Sequence, residues 1–237
     1  MTKKNILYFV NFFFNKIGMS VKRFPSREDR RLIRFLKENN INVVLDVGAN
    51  VGQYTQNLFK NGYKGKVYSF EPQSQAFSKL KKHSNENWIT INKGLGDIET
   101  KIIINNSANS VSSSILPISN RLSTISNDFE YINKEEVDVS TVDIFLSQNN
   151  ITPENVFLKI DTQGYEDMVL NGATKSLQKI KALQLEMSLV PLYKGELLFD
   201  EMKQKIESYG FSLSAVESGL ADESTGKLLQ MDALFIK

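Results

Sequence analysis

Val43-Val44-Leu45-Asp46-Val47-Gly48-Ala49-Asn50-Val51-Gly52, followed by Phe70-Glu71-Pro72, decides how this chain folds. Val43–Val47 is an apolar run broken only by Asp46, as expected of a central parallel strand. A glycine turn follows, then a helix, then a second strand ending at an acid. Such a unit binds a nucleoside-like cofactor: the turn lets backbone approach the ligand, and the acid accepts hydrogen bonds from ribose hydroxyls.

The spacing separates two cofactor classes. A dinucleotide site uses G-x-G-x-x-G, so that the pyrophosphate sits on the helix N-terminus. Here only Gly48 and Gly52 are present, with Ala49-Asn50-Val51 between them. Asp46, two residues before the first glycine, would repel a pyrophosphate. It suits the cationic amino acid end of S-adenosylmethionine. The pattern therefore favours that cofactor over NAD.

Working outward, strands and helices alternate. Arg27–Asn39 has a helical stripe of Leu32, Ile33 and Leu36. Gln53–Asn61 is a helix stopped by Gly62, Lys66–Phe70 the second strand, Ser74–Lys82 a helix, and Trp88–Asn92 the third strand. Lys101–Ile104 and Val137–Val139 read as short strands. Ser140 or Thr141 caps a helix. Val156–Ile160 is a core strand ending at Asp161. Tyr165–Ile180 is a helix weakened at Gly172, and Lys181–Met187 is a strand ending at Glu186. Phe199–Tyr209 is a helix, and Phe211–Val216 and Leu228–Ile236 form a terminal strand pair. This order predicts an α/β fold with a mostly parallel sheet and an antiparallel edge. Residues 105–127 break the rhythm: thirteen of these 23 are Ser or Asn, which reads as a mobile substrate lid or a floppy insertion.

Composition narrows the chemistry. The 237 residues suit one large domain with a short extension, expected as residues 1–40 ahead of a catalytic domain at 41–237. There is no cysteine and a single histidine, which excludes thiolate and His-rich metal sites. An oxygen-ligand ion such as Mg²⁺ is left open, without a dedicated loop, and no metal ligand is assigned. Residues 1–37 hold ten Lys/Arg against Glu28 and Asp29, a net of +8, so the remainder carries −6. This basic segment also holds Phe9 and Phe12-Phe13-Phe14, in an apolar stretch too short to span a bilayer. It reads as a helix packed on the domain or on a second subunit in a homodimer, or as a peripheral membrane contact of a cytoplasmic protein. Nucleic acid is disfavoured by the acidic body.

With these residues placed, the chain resembles the FkbM family of S-adenosylmethionine-dependent methyltransferases. The matching pieces are VLDVGANVGQ (44–53), FEP (70–72), STVDIFL (140–146), LKIDTQGYEDMVLNGA (158–173) and LQLEMS (183–188), with PLYKGE (191–196) and TGKLLQMDALF (225–235) resembling one branch. One departure is Gln163-Gly164, where many members carry Glu-Gly. The resemblance implies a Rossmann-like class I methyltransferase fold with a seven-stranded sheet and helices on both faces. It also implies O-methylation of a saccharide or secondary-metabolite hydroxyl.

Candidate roles follow from strand ends, where open α/β sheets bind ligands. Asp161 ends a core strand and is the leading general base. Glu186 and Lys159 are the other catalytic candidates, Lys159 standing on Asp161's face of the strand. Asp46, Gly48, Asn50 and Gly52 are expected around the cofactor, Glu71 on the ribose diol and Asp97 near the adenine. Tyr193, stacking on a sugar, and Glu166 are expected on the acceptor side. Two competing readings are an NAD-dependent sugar-modifying enzyme and a cofactor-binding partner without transfer activity.

Overall fold

The computed structural model describes residues 3–21, 24–107, 114–119 and 131–237. Most of the expected lid therefore lies outside the described residues. Five parallel strands build the centre and one edge: β1 (Val43–Val47), β2 (Lys66–Phe70), β3 (Trp88–Ile91), β7 (Val156–Ile160) and β8 (Ala182–Ser188). Two more, β9 (Ser212–Ser218) and β12 (Gln230–Ile236), complete a seven-stranded sheet of order β3-β2-β1-β7-β8-β12-β9. The reversed strand is β12, which inserts antiparallel between β8 and β9 rather than forming the outer edge itself.

The apolar runs explain the centre. All five residues of β7 are buried, and β1 is buried from Val44 onward. One core cluster packs Leu45, Val47, Leu158, Ile160, Leu183 and Leu185 on one face of the sheet. A second packs Val44, Leu58, Trp88 and Leu234 with Leu36 on the other. Leu36 belongs to the Arg27–Glu38 helix, capped by reciprocal Ser26–Asp29 hydrogen bonds. The core thus begins inside the segment expected as an extension. Ahead of it stands a separate helix, Lys3–Phe14.

Two expectations change. The short strands near 101 and 137 are parts of a long antiparallel pair, β5 (Thr100–Ser107) with β6 (Tyr131–Ser140), which joins β4 (Gly94–Leu95) in a separate three-stranded sheet. The helix expected over 165–180 is two helices, Glu166–Asn171 and Thr174–Leu177, divided at Gly172. Gly172 lies so close to the Gly96 carbonyl that a Cβ there would sit 1.9 Å from its oxygen. Gly172→Ala is therefore expected to destabilise the fold by about 2–3 kcal/mol, read as a lowered thermal midpoint.

Candidate active site

The site forms where β1, β2 and β7 end. The Gly48 and Ala49 amides both donate to the Phe70 carbonyl, and the Asp161 amide donates to Val47. Gly48 has φ +79°, and a Cβ there would meet the Asp161 carbonyl oxygen at 1.8 Å, so only glycine closes this turn. Above the turn lies a cavity of about 280 Å³.

Gly48, Asn50, Glu71, Lys159 and Asp161, all expected from sequence, line this cavity. Glu71 is 7% exposed; its Oε2 accepts the Asn50 amide at 2.8 Å and its Oε1 the Gln73 amide at 2.9 Å. Burial pushes its carboxyl up to about 7 against those two hydrogen bonds. Lys159 Nζ sits 3.3 Å from Asp161 Oδ2 and 3.4 Å from Asp46 Oδ1, and 5.2 Å from the Tyr54 ring centroid. Burial alone would lower its pKa, but Asp161 and Asp46 outweigh burial and hold the ammonium above its ordinary value. Asp161 is fixed on its other oxygen by Gln163 Nε2 at 2.9 Å.

The other expected residues are absent from the lining. Asp46 is fully buried beneath the turn; Thr55 and Ser69 donate to its Oδ2 at 2.8 and 3.2 Å. It braces Lys159 instead of meeting a ligand. Gly52, at φ +93°, packs where a Cβ would strike Trp88 and Leu80; its glycine serves packing. Asp97 is exposed, outside the lining but close enough to Tyr165 to help burial raise that phenol's pKa.

Glu166 turns its Oε1 back onto the Thr162 and Gly164 amides at 2.8 and 3.2 Å, so it holds the loop. Burial pushes its carboxyl up to about 7. Glu186 lies behind Gln163, accepting from Gln163 and Gln230 at 2.6 and 2.9 Å; burial, then Asp161, raise its pKa strongly. Tyr193 is 2% exposed, its ring against Gly164 and its hydroxyl donating to Gln163 Oε1 at 2.5 Å. A buried ring cannot stack on a sugar, so that expectation is withdrawn.

Several lining residues escaped the sequence reading: Gln53, Tyr54, Tyr165, Gln184, Asp232 and the pair Ile104 and Ile115. Asp232 stands opposite Glu186 in the β12–β8 pairing, and burial, then Asp161, push its carboxyl up to about 6. A charged residue inside the apolar run Met231–Phe235 was the available signal. Among the described residues no three His, Cys, Asp or Glu side chains converge to hold a metal ion.

These shifts predict a pH dependence. A carboxyl raised in the folded state binds its proton more tightly there than in the unfolded chain. Its stabilising contribution is therefore full below the unfolded pKa and lost as pH rises through the folded value. Glu71 and Glu166 set that window from 4.5 to about 7, and Asp232 from 3.8 to about 6. The thermal midpoint of cofactor-free protein is expected to fall across this window as pH rises. A midpoint that climbs steadily instead would contradict the burial of these three groups.

A seven-stranded sheet of this order, with a glycine turn and strand-end acid around one cavity, defines a Rossmann-like class I methyltransferase. Residues 46–213 match the family described as the methyltransferase FkbM domain, and the chain belongs to that family. No curated protein matches the chain. Among solved structures it is similar to an rRNA methylase from Streptococcus thermophilus (16% identity, 91% of this chain and 99% of that one, TM-score 0.42). It is also similar to magnesium protoporphyrin IX methyltransferase from Synechocystis PCC 6803 with bound S-adenosylmethionine (11%, 100% and 98%, 0.46). A third is the 1,6-didemethyltoxoflavin-N1-methyltransferase of Burkholderia thailandensis with S-adenosylhomocysteine (10%, 89% and 78%, 0.45).

As a member of a methyltransferase family the chain takes S-adenosylmethionine as its cofactor. The chain's residues fit it: the Gly48–Asn50 backbone and Glu71 share one wall of the cavity, with Pro72 and Leu95 beside them. Glu71 keeps lone pairs free for hydroxyl donors beyond its two backbone amides. The NAD reading, and the reading as a partner without transfer activity, are set aside.

Proposed function

We propose that this enzyme methylates a hydroxyl oxygen of a saccharide or glycan precursor. The observation that supports this is the cavity lining, to which Gln53, Tyr54, Asp161, Gln163, Gln184 and Asp232 contribute amide, phenol and carboxylate side chains. Such a set recognises a polyol, each hydroxyl being both donor and acceptor. Two carboxylates facing the acceptor disfavour a phosphate-rich nucleic acid. No described helix is long and apolar enough to cross a membrane, and the reading places the reaction in the cytoplasm.

S-adenosylmethionine supplies a methyl group already activated by its sulfonium. The residues then have two tasks: to align the acceptor oxygen with that methyl and to take the proton. Asp161 receives the proton. Lys159 and Gln163 fix its two oxygens, so the carboxylate meets the hydroxyl without searching rotamers. Tyr165, Ile104 and Ile115 supply apolar surface that excludes water from the same space. Gly48, Asn50 and Glu71 hold the cofactor.

The test is transfer of labelled methyl from S-adenosylmethionine to a panel of nucleotide sugars, glycans, small amines and RNA. A methyl ether on a sugar is the expected product. Transfer only to nitrogen, or only to RNA, would overturn the acceptor class while leaving the methyltransferase intact.

A further inference from the structure

The structure carries a second surface, remote in chemistry from the cavity. Among the described residues large exposed apolar side chains are otherwise few, but Phe9, Phe12, Phe13, Phe14, Ile17, Met19, Val21 and Phe24 are all exposed, Phe9, Phe12 and Phe13 each by more than half. A contiguous exposed patch of this kind marks an interaction site rather than ordinary surface. Phe13 lies 5.1 Å from the Phe9 ring and 5.5 Å from the Phe12 ring. The arm has a definite shape: Asn11 hydrogen-bonds both the amide and the carbonyl of Val21, folding residues 18–21 back along the helix. Lys16 Nζ stands 4.9 Å over the Phe12 ring, placing a cation at the edge of the aromatic patch.

The next helix adds an independent feature. Arg27, Arg30, Arg34 and Lys37 recur at spacings of three and four, so they share one face of Arg27–Glu38. All four are exposed. Among the described residues only Arg31 of this helix pairs with a carboxylate, Glu217. The stripe borders a surface groove of about 510 Å³ lined by Pro25, Arg30, Ile33, Arg34, Lys37 and Glu38. Phe24, exposed and 4.7 Å from Lys60 Nζ, connects the arm to this groove.

We propose that residues 9–21 and the Arg27–Lys37 stripe dock the enzyme on an anionic phospholipid membrane. The phenylalanines enter the interface and the Arg27–Lys37 stripe meets lipid phosphates. Charge chooses this occupant over the alternatives. A second copy would bring the same basic front end, of net charge +8 over residues 1–37, against this one. A nucleic acid offers phosphates but no apolar phase for the phenylalanines. Neither region belongs to the active-site cavity, so the proposal stands whatever the acceptor is.

The experiment is flotation of the full-length protein with vesicles of phosphatidylcholine alone and of phosphatidylcholine mixed with phosphatidylglycerol. Partitioning is expected to be at least about tenfold stronger on the mixed vesicles and to weaken as salt is added. The triple variant Phe9→Ser, Phe12→Ser, Phe13→Ser and the separate variant Arg30→Ser, Arg34→Ser, Lys37→Ser should each lower it by about tenfold. Both should keep wild-type titration of S-adenosylmethionine, since they touch no cavity residue. If the aromatic variant fails to fold, the stripe variant still decides. Equal partitioning on both vesicle types, or none, overturns the proposal. So does light scattering that shows a wild-type dimer turned monomeric by the aromatic variant without any vesicle binding.

Discussion

Lys159→Met is expected to unfold the protein about 10 °C earlier and to abolish transfer. The reason is the company Lys159 keeps. Its ammonium is the nearest cation to Asp46, a carboxylate with no exposed surface, and it also holds Asp161. Removing one member of a buried pair leaves an uncompensated charge, which costs about 3–5 kcal/mol. In a chain of this length each kcal/mol moves the thermal midpoint by about 2–4 °C. Asp46 Oδ2 would keep its Thr55 and Ser69 donors, but Oδ1 would have none. The companion variant Lys159→Met with Asp46→Asn tests the cause: neutralising the orphaned acid should recover much of the lost stability and none of the activity. A midpoint unchanged in Lys159→Met would show that Asp46 is satisfied in some other way.

That pair belongs to a pattern spread across the sheet. Ser69 of β2, Asp46 of β1, Lys159 of β7 and Gln184 of β8 stand side by side in register. One polar row therefore crosses the four central strands of an otherwise apolar sheet. Trp88 extends it, donating its indole N–H to Ser69 Oγ at 2.9 Å. At the other end Tyr54 donates to Gln184 Oε1 at 3.1 Å. A buried polar row is stable only when every member is satisfied. Here the satisfaction converges on Asp46 and Lys159, which deliver one cation to the cavity floor.

This row also shows how far sequence reading reaches. The Val43–Gly52 turn was legible because its signals are local: an apolar run, glycines at fixed spacing and an acid at the next strand's end. Lys159 and Asp161 were legible because a strand repeats every two residues, which puts both on one face. Registers were not. Nothing local says that Asp46 lies opposite Lys159, so Asp46 read as a ligand contact when it is a buried brace. Asp232 reaches the cavity only through the antiparallel pairing of β12 with β8, a partnership of residues over forty positions apart. Gly52 and Tyr193 failed for a related reason: each has a motif position that suits a ligand, but tertiary packing against Trp88 and Gly164 uses it. Gln163 was discounted as a departure from a family pattern. In the folded chain its amide joins Asp161, two residues away, to Glu186 and Tyr193, which lie 23 and 30 positions further on.

Asp161→Asn is expected to lower kcat by about 10²–10⁴-fold, the range for loss of a general base, with S-adenosylmethionine affinity nearly unchanged. Besides Glu71, two carboxylates line the cavity, so the prediction has a rival. Burial pushes the Asp232 carboxyl up to about 6, which suits a base working near neutrality. Position favours Asp161. It follows directly on the strand paired with β1, and its backbone touches the Gly48 turn that we propose holds the cofactor. Asp232 sits two strands away, beyond Gln184. Lys159 and Gln163 also hold both oxygens of Asp161, the constraint an in-line transfer needs. The two substitutions separate the roles. Asp161→Asn should lower kcat with the acceptor KM little changed, because an amide cannot accept the hydroxyl proton. Asp232→Asn should raise the acceptor KM more than it lowers kcat, as expected of a group that only binds a hydroxyl. The reverse outcome, with kcat lost in Asp232→Asn and kept in Asp161→Asn, would move the base to β12 and leave Asp161 as the counter-ion of Lys159.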